Sequence, residues 1–270
     1  MIQRLLGVLF AAGCLCAFQS SATPAFSLSQ CPFKLPSGYA LDGKARCGFI
    51  AVRENRLGSS ERRIELAVLV LQRAIERSRD ATVFLQGGSG GGTQAAVSGF
   101  GSAVFEALAA GGDLIFFDQR GTGLSEPSLS CPETARVQAV RGDMIASLDA
   151  VYLSAYSACK ERLKASGVDL AAYNTLENAL DVDAIRDGLG YERLNLYGGS
   201  YGSLLAQRVM REAPSSVRAV FWTQWLIRCA LGSRKPLRTR SRPSSASTKP
   251  AASIQSALER FQISVRRSCK

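Results

Sequence analysis

The chain has 270 residues, of which 46% are hydrophobic and 20% charged, the balance of a globular protein with one large domain or two small ones and ample core. It carries a net charge of +11 and no histidine, so any mechanism that needs an imidazole near neutral pH is excluded from this chain.

At the N-terminus, Arg4, the apolar run Leu5 to Phe18 and the small residues after it read as a secretory signal, cleaved after Ala22 or after Ala25. A run of 14 residues is short for a membrane span, and none is expected once residues 1–25 are removed. Lipoprotein processing at Cys14, after Ala11-Ala12-Gly13, is a minor alternative that leaves a very short apolar run. The expected location is therefore outside the cytoplasm, periplasmic or secreted. In that oxidising compartment Cys31–Cys47 and Cys131–Cys159 are the expected disulfides, although spacing alone does not fix the pairing. Cys14-Leu15-Cys16 has no partner pattern for zinc, and no metal is expected.

Cys31 to Lys44 is a Pro/Gly-rich opening segment. Arg46 to Val52 and Arg63 to Gln72 are β-rich apolar runs, separated by turn chemistry at Glu54 to Ser60. They predict two antiparallel strands. Ala81 to Gln86 predicts a buried strand that runs into Gly87-Gly88-Ser89-Gly90-Gly91-Gly92. This glycine run lacks the Lys-Ser/Thr ending of a phosphate loop, so nucleotide binding is disfavoured. Bare N–H groups at a strand end suit an oxyanion instead. Val104 to Ala110 predicts a helix, Asp113 to Asp118 a strand and Gln119 to Ser125 a turn, which is the rhythm of a parallel sheet. Cys131 to Gly167 reads as a largely helical excursion. Thr175 is the expected N-cap of a helix over Leu176 to Leu189, with Gly190 ending it.

Tyr191 to Tyr197 then predicts a short strand, followed by Gly198-Gly199-Ser200-Tyr201-Gly202 and a helix over Leu204 to Arg211 that Pro214 stops. Strand, G-x-S-x-G and helix is the nucleophile-elbow pattern. The turn exposes the serine hydroxyl, and the helix behind it aims free N–H groups at the reacting oxygen. Val217 to Phe221 begins another strand.

The chain resembles a secreted α/β-hydrolase of the proline iminopeptidase and tripeptidyl aminopeptidase-like group. The matching pieces are Cys31-Pro32, Cys47-Gly48, the glycine loop at Gln86 to Gly90, Asp118-Gln119-Arg120-Gly121-Thr122-Gly123, Tyr173-Asn174-Thr175 with Asp181 to Asp183, and the elbow, in that order over residues 31–221. The resemblance implies an incomplete, mostly parallel α/β-hydrolase sheet with helices on both faces. It implies Ser200 as acyl-forming nucleophile, with the backbone N–H groups of Tyr201 and Gly88 as the oxyanion hole. A peptide or small ester is the implied substrate, without a cofactor. The family's usual loop is HGGPG, where this chain has Gln86-Gly87-Gly88-Ser89-Gly90. Arg120 reads as a turn-stabilising residue rather than a site residue.

In this fold the triad acid and histidine follow the serine. Downstream of Ser200 there is no histidine, and the only acids are Glu212, in the elbow helix, and Glu259. Residues 222–270 hold 11 Lys+Arg and one Glu, against 22 Lys+Arg and 21 Asp+Glu in the rest. The basic character therefore lies in a Ser/Arg/Pro-rich, low-order tail. Phe221-Trp222-Thr223 requires codons TTY-TGG-ACN, and one base earlier they read Leu-Asp. After one further position, the codons of Gln224-Trp225-Leu226 permit Val or Met, then Ala or Val, which resembles the family's continuation of this strand. The expectation is a reading-frame change near Val220–Phe221, leaving a hydrolase without its triad acid, histidine or lid. The alternative is a non-catalytic binding protein whose basic tail meets an anionic partner; no specific nucleic acid is expected.

Overall fold

A computed structural model describes residues 25–35, 44–72, 79–88, 90–99, 108, 112–138 and 145–223. Residues 1–24 of the signal segment, all but Leu108 of the helix expected over Val104 to Ala110, and nearly all of residues 222–270 lie outside these. The described residues build a mixed seven-stranded sheet: β1 (Phe26–Leu28), β2 (Ala45–Arg53), β3 (Arg63–Leu71), β4 (Asp80–Leu85), β5 (Asp113–Phe117), β6 (Arg193–Gly199) and β7 (Val217–Thr223). The strand order is β1-β2-β3-β5-β4-β6-β7. The pairs β1–β2, β2–β3 and β3–β5 are antiparallel, and β4–β5, β4–β6 and β6–β7 are parallel. The described residues also form helices α1 (Gln94–Gly99), α2 (Pro132–Gln138), α3 (Ile145–Ala165), α4 (Thr175–Leu189) and α5 (Tyr201–Glu212). Among the described residues no helix is long and apolar enough to cross a membrane.

The pleat divides the core between two faces. Ile64, Leu66, Val68 and Val70 of β3, with Val83, Leu85, Ile115 and Phe117, pack against Ala179, Val182, Ile185 and Leu189 of α4 and Leu205, Ala206 and Val209 of α5. Ala67, Leu69 and Leu71, with Phe84, Leu114 and Phe116, pack on the other side with Val97 of α1 and with Phe33. Covering both faces explains why β4 and β5 read as unbroken apolar runs rather than alternating ones. Each large side chain so buried contributes roughly 1.5–3 kcal/mol.

Two differences from the sequence expectations stand out. Asn174, not Thr175, caps α4: its side chain accepts from Glu177 N, while Gly190 closes the helix in the left-handed conformation. Thr175 is the first helical residue, and its hydroxyl pairs with the Tyr201 hydroxyl at 3.1 Å. The short edge strand β1 was also not expected; its three residues are partly or fully exposed, so no apolar pattern marks it. Cys31–Cys47 and Cys131–Cys159 are bonded as expected. The first ties the opening segment to β2, and the second ties α3 to the residue before α2.

Candidate active site

Strand β6 delivers Ser200 at the carboxyl edge of the parallel strands, where the loops after β4 and β5 and the start of α4 also converge. Ser200 has φ 52 and ψ −121 and is the one non-glycine residue with positive φ among those described. It is exposed. It occupies the N-cap position of α5 but makes no side-chain cap bond; its carbonyl instead accepts from Ser203 N at 2.9 Å and Ser203 Oγ at 2.6 Å. The hydroxyl is thus left for other use, and among the described residues nothing hydrogen-bonds it. The backbone fit explains the glycines. A Cβ at Gly198 would strike the Gly202 carbonyl, one at Gly202 would strike the Leu85 carbonyl, and one at Gly87 would lie 2.7 Å from the Gly199 carbonyl oxygen. The turn can close only if these positions have no side chain.

Tyr201 is the first residue of α5, so its N–H belongs to the donors that a helix leaves unpaired at its start. Gly88, with φ 71, follows Gly87, which touches the elbow backbone. The start of α5 and the glycine loop, through Gly87, thus meet at the elbow.

That loop is held from behind. The Asp118 carboxylate accepts from Thr93 N at 2.5 Å and from Leu124 N at 2.7 Å, joining the segment after the glycine run to the turn after β5. Gln119 Nε2 donates to the Gln86 carbonyl at 3.0 Å. Arg120 has no exposed side-chain surface and grips Asp181 of α4 through two contacts, at 2.7 and 2.8 Å. It also donates to the carbonyls of Glu54 and Ala172. Arg56 pairs with Glu177 at 2.6 Å and Asp181 at 2.7 Å. Burial alone would lower the Arg56 pKa, but the Asp181 and Glu177 carboxylates outweigh it and raise it. Tyr173 donates to Glu54 Oε1 at 2.9 Å; burial first, then this bond, pushes its phenol up. This network fixes α4 and the turn after β5 against the antiparallel strands, and Arg120 has no side-chain surface with which to meet a substrate.

Glu212 lies at the far end of α5, ~16 Å of helix rise from the elbow, and pairs with Arg208 at 2.9 Å. It cannot reach Ser200. Glu259 lies outside the described residues. Cys131, Glu133 and Cys159 offer ligand atoms within 4.8 Å of one another, but the two sulfurs are joined to each other and Glu133 pairs with Arg162, so they do not form a metal centre as they stand.

A polar cluster surrounds Tyr201 that no sequence motif marks. Asn178, Thr175 and Gln119 gather there, and a cavity of about 350 Å³ opens beside them. The signal was absent because these residues are scattered along the chain and none belongs to a motif of its own.

The chain is 31% identical over 183 residues to a tripeptidyl aminopeptidase of Streptomyces lividans, covering 64% of this chain and 34% of that protein. It is 29% identical over 116 residues to the serine protease Hip1 of Mycobacterium tuberculosis, covering 40% of this chain and 22% of that one. The chain thus spans about a third or less of the length of these relatives. A putative hydrolase from Agrobacterium vitis aligns in structure with a TM-score of 0.39 and 18% identity, over 66% of this chain and 51% of its own. The family profile described as the alpha/beta hydrolase fold matches residues 80–223, from the first residue of β4 to the last of β7, and the chain belongs to that family.

Proposed function

We propose that Ser200 is the nucleophile of a serine hydrolase of the aminopeptidase or peptidase type, and that this chain lacks the base needed for turnover. The observation that carries the first half is the conformation of Ser200: an exposed serine held at positive φ, at a strand-to-helix turn lined by Gly87, Gly198 and Gly202. Backbone strain of this kind, about 1–3 kcal/mol, persists where a site requires it. In the reaction, Ser200 Oγ forms a bond to the carbonyl carbon of a peptide or ester as its proton passes to a base. The oxygen that takes the charge lies against the N–H groups of Tyr201 and Gly88. Collapse expels the amine or alcohol, which takes up the proton, and water then releases the acyl group.

The second half rests on composition. With no histidine in 270 residues, and neither Glu212 nor any other described side chain on the hydroxyl, no group among the described residues takes the Ser200 proton near neutral pH. Removing a triad member costs several orders of magnitude but leaves oxyanion stabilisation intact. The expected behaviour is no ester turnover, and slow labelling by a fluorophosphonate that rises with added imidazole and disappears in Ser200→Ala. Labelling indifferent to Ser200→Ala would overturn the nucleophile; fast turnover without imidazole would overturn the missing base. The two disulfides support export, as expected from the N-terminal sequence.

A further inference from the structure

We infer that Cys131–Cys159 is a thiol-exchange site and not only a structural tie: a small-molecule thiolate attacks Cys131 Sγ, and Cys159 leaves as a thiolate held by Arg162. The two sulfurs are not equivalent. Cys159, on α3, is 1% exposed and packs with Leu163 and Val168. Cys131, beside the start of α2, is only partly buried. An incoming thiolate therefore meets Cys131 first.

Which sulfur leaves is decided by charge. Apolar burial alone makes a thiolate at Cys159 costly, and so makes this sulfur a poor leaving group. Arg162, nearly one turn further along α3, offsets that cost: its Nη2 lies 3.6 Å from Cys159 Sγ. In surroundings of low dielectric a guanidinium this close favours the thiolate. Arg162 is shared, however. It binds the two Glu133 carboxylate oxygens at 2.6 and 3.2 Å and donates to the Ser130 carbonyl at 2.9 Å. A Glu133 oxygen also lies within 4.8 Å of both sulfurs. Glu133 thus competes for the cation and opposes a second negative charge beside it.

The other disulfide supplies a contrast inside the same chain. Cys47 is as deeply buried, at 3% exposed, but among the described residues no cation is hydrogen-bonded to Cys31 or Cys47. Exchange at Cys131 is a substitution at sulfur. The thiolate's electron pair forms the new bond to Cys131, the pair of the old bond goes to Cys159, and no external oxidant or proton is needed. Ser128, Leu129 and Ser130, just before Cys131, line the cavity beside Tyr201. Exchange therefore releases the covalent tether between that wall and α3.

Reduced glutathione added to the oxidised full chain tests this, followed by an acid quench, maleimide capture of free thiols and peptide mapping. The first product should carry glutathione on Cys131 and maleimide on Cys159, and should form about tenfold faster than any opening of Cys31–Cys47. Arg162→Gln should slow the exchange about fivefold, by worsening the leaving group. Glu133→Gln should speed it about twofold, by freeing Arg162 and removing a like charge. The opposite signs separate charge from folding. Both side chains are partly exposed, and a loosened fold would hasten exchange in both variants. Glutathione on Cys159, equal rates at the two disulfides, a rate that Arg162→Gln leaves unchanged or raises, or one that Glu133→Gln lowers overturns the assignment.

Discussion

Ser200 and the glycines around it are opposite solutions to one steric problem. The elbow forces close backbone contact, which the glycines meet by having no Cβ, while the serine accepts positive φ to carry a hydroxyl. Ser200→Gly should therefore raise stability by about 1 kcal/mol in urea unfolding, through relief of backbone strain. A loss of stability would show that the turn is not strained. Gly202→Ala should cost roughly 2–4 kcal/mol, since its Cβ meets the Leu85 carbonyl, a backbone atom in the sheet that cannot turn aside. Tyr173 makes a different residue-scale prediction. Its phenol is pushed up in the folded state, so the protonated form is favoured by folding. That contribution is fully present below the unfolded tyrosine pKa of about 10 and is lost as pH rises through the higher folded value. Tyr173→Phe should lower stability near neutrality by about 2 kcal/mol, by leaving buried Glu54 without its phenol donor. It should also flatten the decline in stability above about pH 10; an unchanged alkaline slope would remove Tyr173 from that decline.

At the scale of elements, legibility followed the reach of the forces involved. Strands β3, β4 and β5 were legible because burial on both faces demands local runs of apolar residues. The elbow was legible because its strand, turn and helix are contiguous. The cap of α4 was misplaced by one residue because Asn174 and Thr175 are both competent caps, and the choice between them is made from outside the helix. Tyr201, 26 residues away, engages the Thr175 hydroxyl. Asn178 was invisible for the same reason: its partners Gln119 and Tyr201 lie 59 and 23 residues away. A pair of variants checks the cap. Asn174→Ala should cost about 1 kcal/mol through loss of the bond to Glu177 N, whereas Thr175→Ala should leave the cap intact and act on Tyr201 instead. Equal losses at unchanged Tyr201 fluorescence would return the cap to Thr175.

At the scale of the whole molecule, charge is divided more sharply than structure. Residues 1–221 are nearly balanced, with 22 cationic against 21 anionic side chains, and many of the latter are tied into internal pairs such as Arg120–Asp181 and Arg56–Glu177. Residues 222–270 carry 11 cations and one anion. A polyanion therefore finds little attraction on the hydrolase-like part, and the affinity of the full chain for one should come from the last segment. Counterion release makes such binding fall linearly in log K with log salt, with a slope set by the number of contacts. The full chain should bind heparin at low salt with a steep slope, and removal of residues 225–270 should abolish retention on a heparin column while the elbow region stays folded by circular dichroism. Retention of the shortened chain at the same salt would place the attracting charges on the sheet domain. A shallow slope for the full chain would mean that its cations are not collectively available to a partner. Either result would weigh against a role for the tail in binding anions, whether or not Ser200 retains chemistry.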